Sequence, residues 1–105
     1  MTDRIAAIRA LLKKKPDDVF LHYSLGMELA SAGQFQRAVA AFRRCSEIDP
    51  EYLPAWVERG KCLRAAGRLD DARQTFTHAF QLAASAGETH TADSLKQQLQ
   101  ALPPE

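Results

Sequence analysis

The chain repeats itself with a period of 34 residues. Setting Val19–Tyr52 against Leu53–Ala86 gives six identities: Gly26 with Gly60, Leu29 with Leu63, Ala32 with Ala66, Gly33 with Gly67, Ala38 with Ala72, and Phe42 with Phe76. Other pairs keep their character, namely His22 with Trp56, Phe35 with Leu69, Cys45 with Ala79 and Ile48 with Leu82. The matches fall on small, apolar and aromatic residues and avoid charges, as packing would select. A period of this length describes one supersecondary unit, copied and stacked so that neighbours share a core.

Each unit reads as two helices. Leu21, Leu25 and Leu29 recur every four residues and line one helical face. Ala32-Gly33 ends that pattern, because Gly reaches the left-handed conformation that closes a helix. Phe35, Ala38, Phe42, Cys45 and Ile48 then form a second stripe. Asp49-Pro50 stops it, since Pro cannot continue a helix. The second unit repeats the scheme with Trp56, Gly60 and Leu63, a break at Gly67, then Leu69, Ala72, Phe76, Ala79 and Leu82. Gly26 and Gly60 fall mid-helix, where Gly costs about 1 kcal/mol against Ala. That cost, taken twice in one register, implies a closely approaching helix: Ala38 and Ala72 leave room, and Phe42 and Phe76 fill it.

The register of Trp56, Gly60, Ala72 and Phe76, echoed by Gly26, Ala38, Phe42 and Pro50, resembles the tetratricopeptide repeat, in the form of a small, bacterial-type, stand-alone member. The resemblance covers residues 19–52 and 53–86. Three positions depart from the family pattern. His22 stands where Trp is preferred, Arg59 replaces an apolar residue before Gly60, and Ala84 stands where the first repeat has Pro50. Without that Pro, the long second helix should run to about Ala86.

The flanks fit the same period. Pro16 lies one period before Pro50, so residues 2–15 should form the second helix of a truncated leading repeat, with Ile5, Ile8 and Leu11 as its buried stripe. Residues 88–102 should form a capping helix, with Leu95, Leu99 and Leu102 inward and Asp93, Lys96, Gln97 and Gln100 outward. The resemblance thus implies a single all-α domain over residues 1–105, an α-solenoid of antiparallel helix pairs with about six helices and a right-handed superhelix.

Fourteen basic residues balance thirteen acidic ones, a net charge of +1. That balance argues against a nucleic-acid binder, which carries a basic excess. Asp3, Arg4 and Arg9 interrupt the first twelve residues, so no signal peptide is expected. No apolar run approaches the roughly 18 residues of a membrane span. Cys45 and Cys62 sit within helical stripes, seventeen apart, and read as buried, reduced thiols of a cytoplasmic protein.

No convergent set of chemical groups emerges. His22 reads as a packing residue, His78 as solvent-facing mid-helix, and His90 as part of the capping helix. No metal, cofactor or catalytic activity is expected. Asp17-Asp18 and Asp70-Asp71 sit where helices begin and read as caps. Lys13-Lys14-Lys15 complements the dipole at the end of the first helix.

The resemblance implies a function in binding proteins. In this family the first helix of each unit lines a concave face, and the residues there that the core does not use are Phe20, Tyr23 and Met27, followed by Val57, Lys61 and Arg64. Aromatic and Met side chains suit an interface, and Lys61 and Arg64 favour carboxylates. Two readings of Phe20 and Tyr23 stand side by side: groove residues, or core residues covered by the N-terminal helix. The clamp for acidic chaperone tails is not expected, because its positions hold Tyr23, Met27, Glu58, Glu88 and Ala92. The expected partner is a protein or peptide segment, without nucleic acid or membrane. The alternative is self-association as a homodimer through an open solenoid end near Ile5, Ile8 and Leu12.

Overall fold

Three turns share one hydrogen-bond pattern. At the first, Gln34 N–H donates to Leu29 C=O at 2.9 Å and Gly33 N–H to Ala30 C=O at 3.0 Å. At the second, Arg68 N–H reaches Leu63 C=O at 2.9 Å and Gly67 N–H reaches Arg64 C=O at 3.0 Å. The third joins Glu88 to Ala83 and Gly87 to Ala84. This is the Schellman closure, which needs a left-handed residue. Gly33 at φ 77° and Gly67 at φ 79° supply it.

These turns separate the helices of a computed structural model that describes residues 2–104. They are α1 (Thr2–Lys14), α2 (Val19–Ser31), α3 (Phe35–Ile48), α4 (Leu53–Ala65), α5 (Leu69–Ser85) and α6 (Thr89–Ala101), with no strand among the described residues. Met1 and Glu105, the ends of the expected domain, lie outside the described residues. α5 has 17 residues against 14 for α3, the extension that Ala84 permits where Pro50 stops its counterpart. Each helix packs on its neighbours in sequence, and α2 also touches α4. The result is a short solenoid measuring 40 × 28 × 19 Å.

The core lies between paired helices. A Cβ added to Gly26 would sit 2.5 Å from Phe42 Cε1, and one added to Gly60 would sit 2.5 Å from Phe76 Cε1. Both rings are fully buried, as are Ala38, Ala72, Cys45 and Ala79. The two repeats also share a tie to the preceding turn. Trp56 Nε1 donates to Pro50 C=O at 2.8 Å, and His22 Nε2 makes the same bond to Pro16 C=O at 2.7 Å. His therefore replaces Trp by keeping its N–H and its direction.

The first helix sits differently from the stripe expected for it. Leu11 is half exposed, and Ile5, Ile8 and Leu12 are the partly buried residues. The spacing i, i+3, i+7 keeps these three on one face, and Leu11 falls off it. Only one acidic pair contains a cap: Asp18 accepts from Leu21 N–H at 3.1 Å and opens α2. Asp17 pairs with Arg44 at 2.8 Å. Asp70 and Asp71 lie inside the first turn of α5, whose N-cap is Arg68. They complement the helix dipole and bond no terminal amide as caps.

Both cysteines are free and buried. Burial pushes the Cys45 thiol up to about 11 from its ordinary 9.0, and its Sγ–H donates to Val19 C=O at 3.6 Å. Cys62 is raised too, by burial first and then by Glu58.

Two outcomes follow for stability. Gly26→Ala and Gly60→Ala should each lower the urea midpoint, because a buried ring must move; such overpacking costs about 1–3 kcal/mol, against the roughly 1 kcal/mol of helix propensity that Ala gains. Ala38→Leu and Ala72→Leu should cost more, since no Gly-to-Ala gain offsets them, and unchanged midpoints in all four would refute the close crossing. The second outcome concerns pH. The folded chain holds the Cys45 proton more tightly than the unfolded chain does, so this thiol's contribution is complete below pH 9 and is lost as pH rises to about 11. Denaturation midpoints measured across that window should fall less steeply in Cys45→Ala than in the parent.

Candidate partner-binding face

The face begins at the N-terminus of α2. The Asp18 cap fixes where the helix starts, and the helical spacing then sets Phe20, Tyr23 and Met27 on one side. Phe20 is 68% exposed and Met27 39% exposed, so α1 does not cover this side of α2. Tyr23 is half-buried, and what covers it is aromatic. Its ring lies 5.6 Å from Phe42 and 5.6 Å from Tyr52. Phe20 meets Tyr52 edge to face at 5.9 Å. An aromatic chain thus runs from exposed Phe20 through Tyr52 and Tyr23 to the buried Phe42 ring. Burial raises the Tyr23 pKa, and Glu58 raises it further.

The second repeat supplies Val57, Lys61 and Arg64 from α4. Val57 is half-buried against the core. Lys61 Nζ pairs with Glu58 at 3.3 Å, one turn away on the same helix. Arg64 is exposed; its guanidinium lies 5.7 Å from the Phe76 ring centroid and donates to Gln98 of α6. The face is therefore apolar and aromatic at α2 and charged at α4, where the neutral Gln98 of α6 meets Arg64.

Sequence reasoning left two members of this surface, Tyr52 and Glu58, off the groove. Tyr52 lies at the N-cap of α4, in a turn, where helical periodicity assigns no face. Its signal was there in composition: it is an aromatic residue in a turn whose counterpart one period earlier is Asp18. Glu58 stood only among the chaperone-clamp positions, and its pairing with Lys61 was missed because ion pairing depends on rotamers, which spacing does not give. Of the chaperone-clamp positions, Ala92 is buried.

The histidines stay apart. His78 is exposed and its ring leans on Trp56 at 4.1 Å; His90 is exposed on α6. Among the described residues, no three or more His, Cys, Asp or Glu side chains gather as metal ligands. No described helix is long and apolar enough to cross a membrane.

With this geometry established, known proteins give the frame. Two sequence profiles of the tetratricopeptide repeat match the chain, one over residues 29–100 and one over residues 5–52. A TPR repeat-containing protein of Pseudomonas aeruginosa is 36% identical over 84 residues, 80% of each chain. A protein from Bordetella parapertussis solved in solution superposes with a TM-score of 0.81 at 29% identity, covering 91% of this chain and 84% of that one. PcrH, solved in complex with the chaperone binding region of PopD, superposes with a TM-score of 0.88 at 23% identity, covering 95% of this chain and 76% of that one. The 34-residue register, the six helices and these matches together assign the chain to the tetratricopeptide repeat family.

Proposed function

We propose that this chain is an interaction module that holds a peptide segment of another protein along the α2–α4–α6 face. The observation that carries the reading is the Phe20–Tyr52–Tyr23 cluster beside Met27. It sets a large exposed aromatic side chain on a rigid, core-anchored base. Large exposed apolar side chains grouped on one face mark interaction sites, and rigid aromatics lose little entropy on binding. Family membership supports an interaction role without catalysis. PcrH, with the same fold, was solved with a segment of another protein.

The cationic half of the face sets the ligand's polarity. Lys61 is already paired with Glu58, so Arg64 is the group available to a ligand carboxylate. The ligand should place apolar side chains over Phe20, Tyr23 and Met27, with a carboxylate reaching Arg64. Apolar anchors would then set affinity, and Arg64 would set association rate and salt dependence.

The test is to capture a partner by photo-crosslinking from Met27, map the crosslinked segment, and titrate that peptide. Phe20→Ala and Tyr23→Ala, shown folded by circular dichroism, should each lose about 2 kcal/mol, roughly thirtyfold in affinity. Lys61→Glu with Arg64→Glu should weaken binding mainly at low salt. Parental affinity in all three folded variants would remove this face as the site.

A further inference from the structure

On the opposite side of α4 from that face, three arginines from three parts of the chain line one cavity. Arg59 is two residues from both Val57 and Lys61, and residues so spaced point to opposite sides of a helix. It meets Arg43 of α3 and Arg68 at the start of α5 around a hollow of about 110 Å³, completed by Asp71, Gln74 and Thr75. That is several times the space one water molecule needs.

The charges in this hollow do not cancel. Arg68 donates to Asp71 and, at 3.1 Å, to Gln36. Among the described residues, neither Arg43 nor Arg59 has a carboxylate within ion-pairing distance. Glu47, the other acid near Arg59, is paired with Arg44 at 3.3 Å. Arg59 is half-buried and its guanidinium lies over the Trp56 ring at 5.1 Å from the centroid. Stacking fixes the guanidinium against the ring and leaves its in-plane donors for another group. One of them, Nε, is buried and has no acceptor among the described residues. Burial, then Arg43, lower the Arg59 pKa, and Arg68 adds to this; Asp71 and Glu47 oppose it.

We propose that Arg43, Arg59 and Arg68 form a site for a phosphate-class oxyanion, either free or carried on a phosphorylated side chain. Two guanidiniums without counter-ions match an anion of nearly two charges. Arginine's planar fork suits tetrahedral oxyanions, which accept paired N–H bonds. The site is a property of the repeat junction. One period earlier Arg59 corresponds to Leu25 and Arg68 to Gln34, and one period later Arg43 corresponds to Thr77. The cluster therefore exists once and is not a by-product of the repeat. It is independent of the peptide-binding face.

The experiment titrates inorganic phosphate into ¹⁵N-labelled protein at pH 7.5, with chloride holding the ionic strength constant, and follows the arginine Nε–H resonances. The expected result is a saturable shift of the Arg43, Arg59 and Arg68 signals that chloride does not reproduce. Arg59→Leu, which copies Leu25 of the first repeat, and Arg43→Gln should each weaken it roughly tenfold or more, while Arg64→Glu leaves it intact. A short phosphoserine peptide forms a second arm. Binding clearly tighter than inorganic phosphate at the same resonances assigns the site to a phosphorylated side chain, and equal binding assigns it to the free anion. Shifts that do not saturate, that chloride matches, or that persist in both folded variants overturn the site.

Discussion

Everything in this fold depends on two aromatic rings lying on two glycines. Phe42 occupies the space where a Cβ of Gly26 would be, and Phe76 does the same at Gly60. The contact lets each helix pair approach closely, with Ala38 and Ala72 fully buried in the same pairs. Ridge-and-groove packing at such a distance fixes which way each first helix is rotated. Once that rotation is set, the stripe of α2 or α4 that faces its partner is set too, and so is the stripe left to solvent. The same contact therefore decides the core and the surface.

The surface inherits order from the core through Tyr52. This residue stands at the junction of the repeats, and its ring touches both Phe20 and Tyr23. Tyr23 in turn touches Phe42. An exposed Phe on a free helix would sample several rotamers, and a ligand would have to immobilise it. Here each ring is braced by the next, down to one that cannot move without opening the core. Binding at Phe20 would thus lose less side-chain entropy than its exposure suggests.

The parts of the fold that depend on backbone geometry and residue size were legible in the sequence. Gly33 and Gly67 announced the turns, Pro50 announced the end of α3, and the Gly–Phe register announced the close pairing. His22 shows why composition alone is a poor guide. It lacks the bulk of Trp56, yet it has the one N–H that the Pro16 carbonyl requires. The first helix was misjudged by one residue, Leu11 for Leu12. Leu11 and Leu12 are adjacent and equally apolar, and only the partner helix selects between them. The candidate face was half legible. Phe20, Tyr23 and Met27 follow from helical spacing, but Tyr52 lies in a turn, where there is no period to read. The pairing of Lys61 with Glu58 was invisible because it belongs to rotamers.

Arg59 shows how a repeat can acquire a second surface without losing its first. A stacked repeat contacts only its neighbours, so a residue at a junction faces three helices, while its copies elsewhere face different surroundings. At Leu25 the position takes an apolar side chain. At Arg59 the Trp56 ring below accepts a guanidinium, and the cost of half-burying a charge is offset in part by that contact. The substitution leaves the Gly60–Phe76 contact untouched, because adjacent residues on a helix point about 100° apart. The core constraint acts on Gly60, and its neighbour is free to change chemistry. Positions next to the repeated Gly–Phe contacts are therefore where a short solenoid can gain charge, and the face they serve is opposite to the one that Val57, Lys61 and Arg64 present.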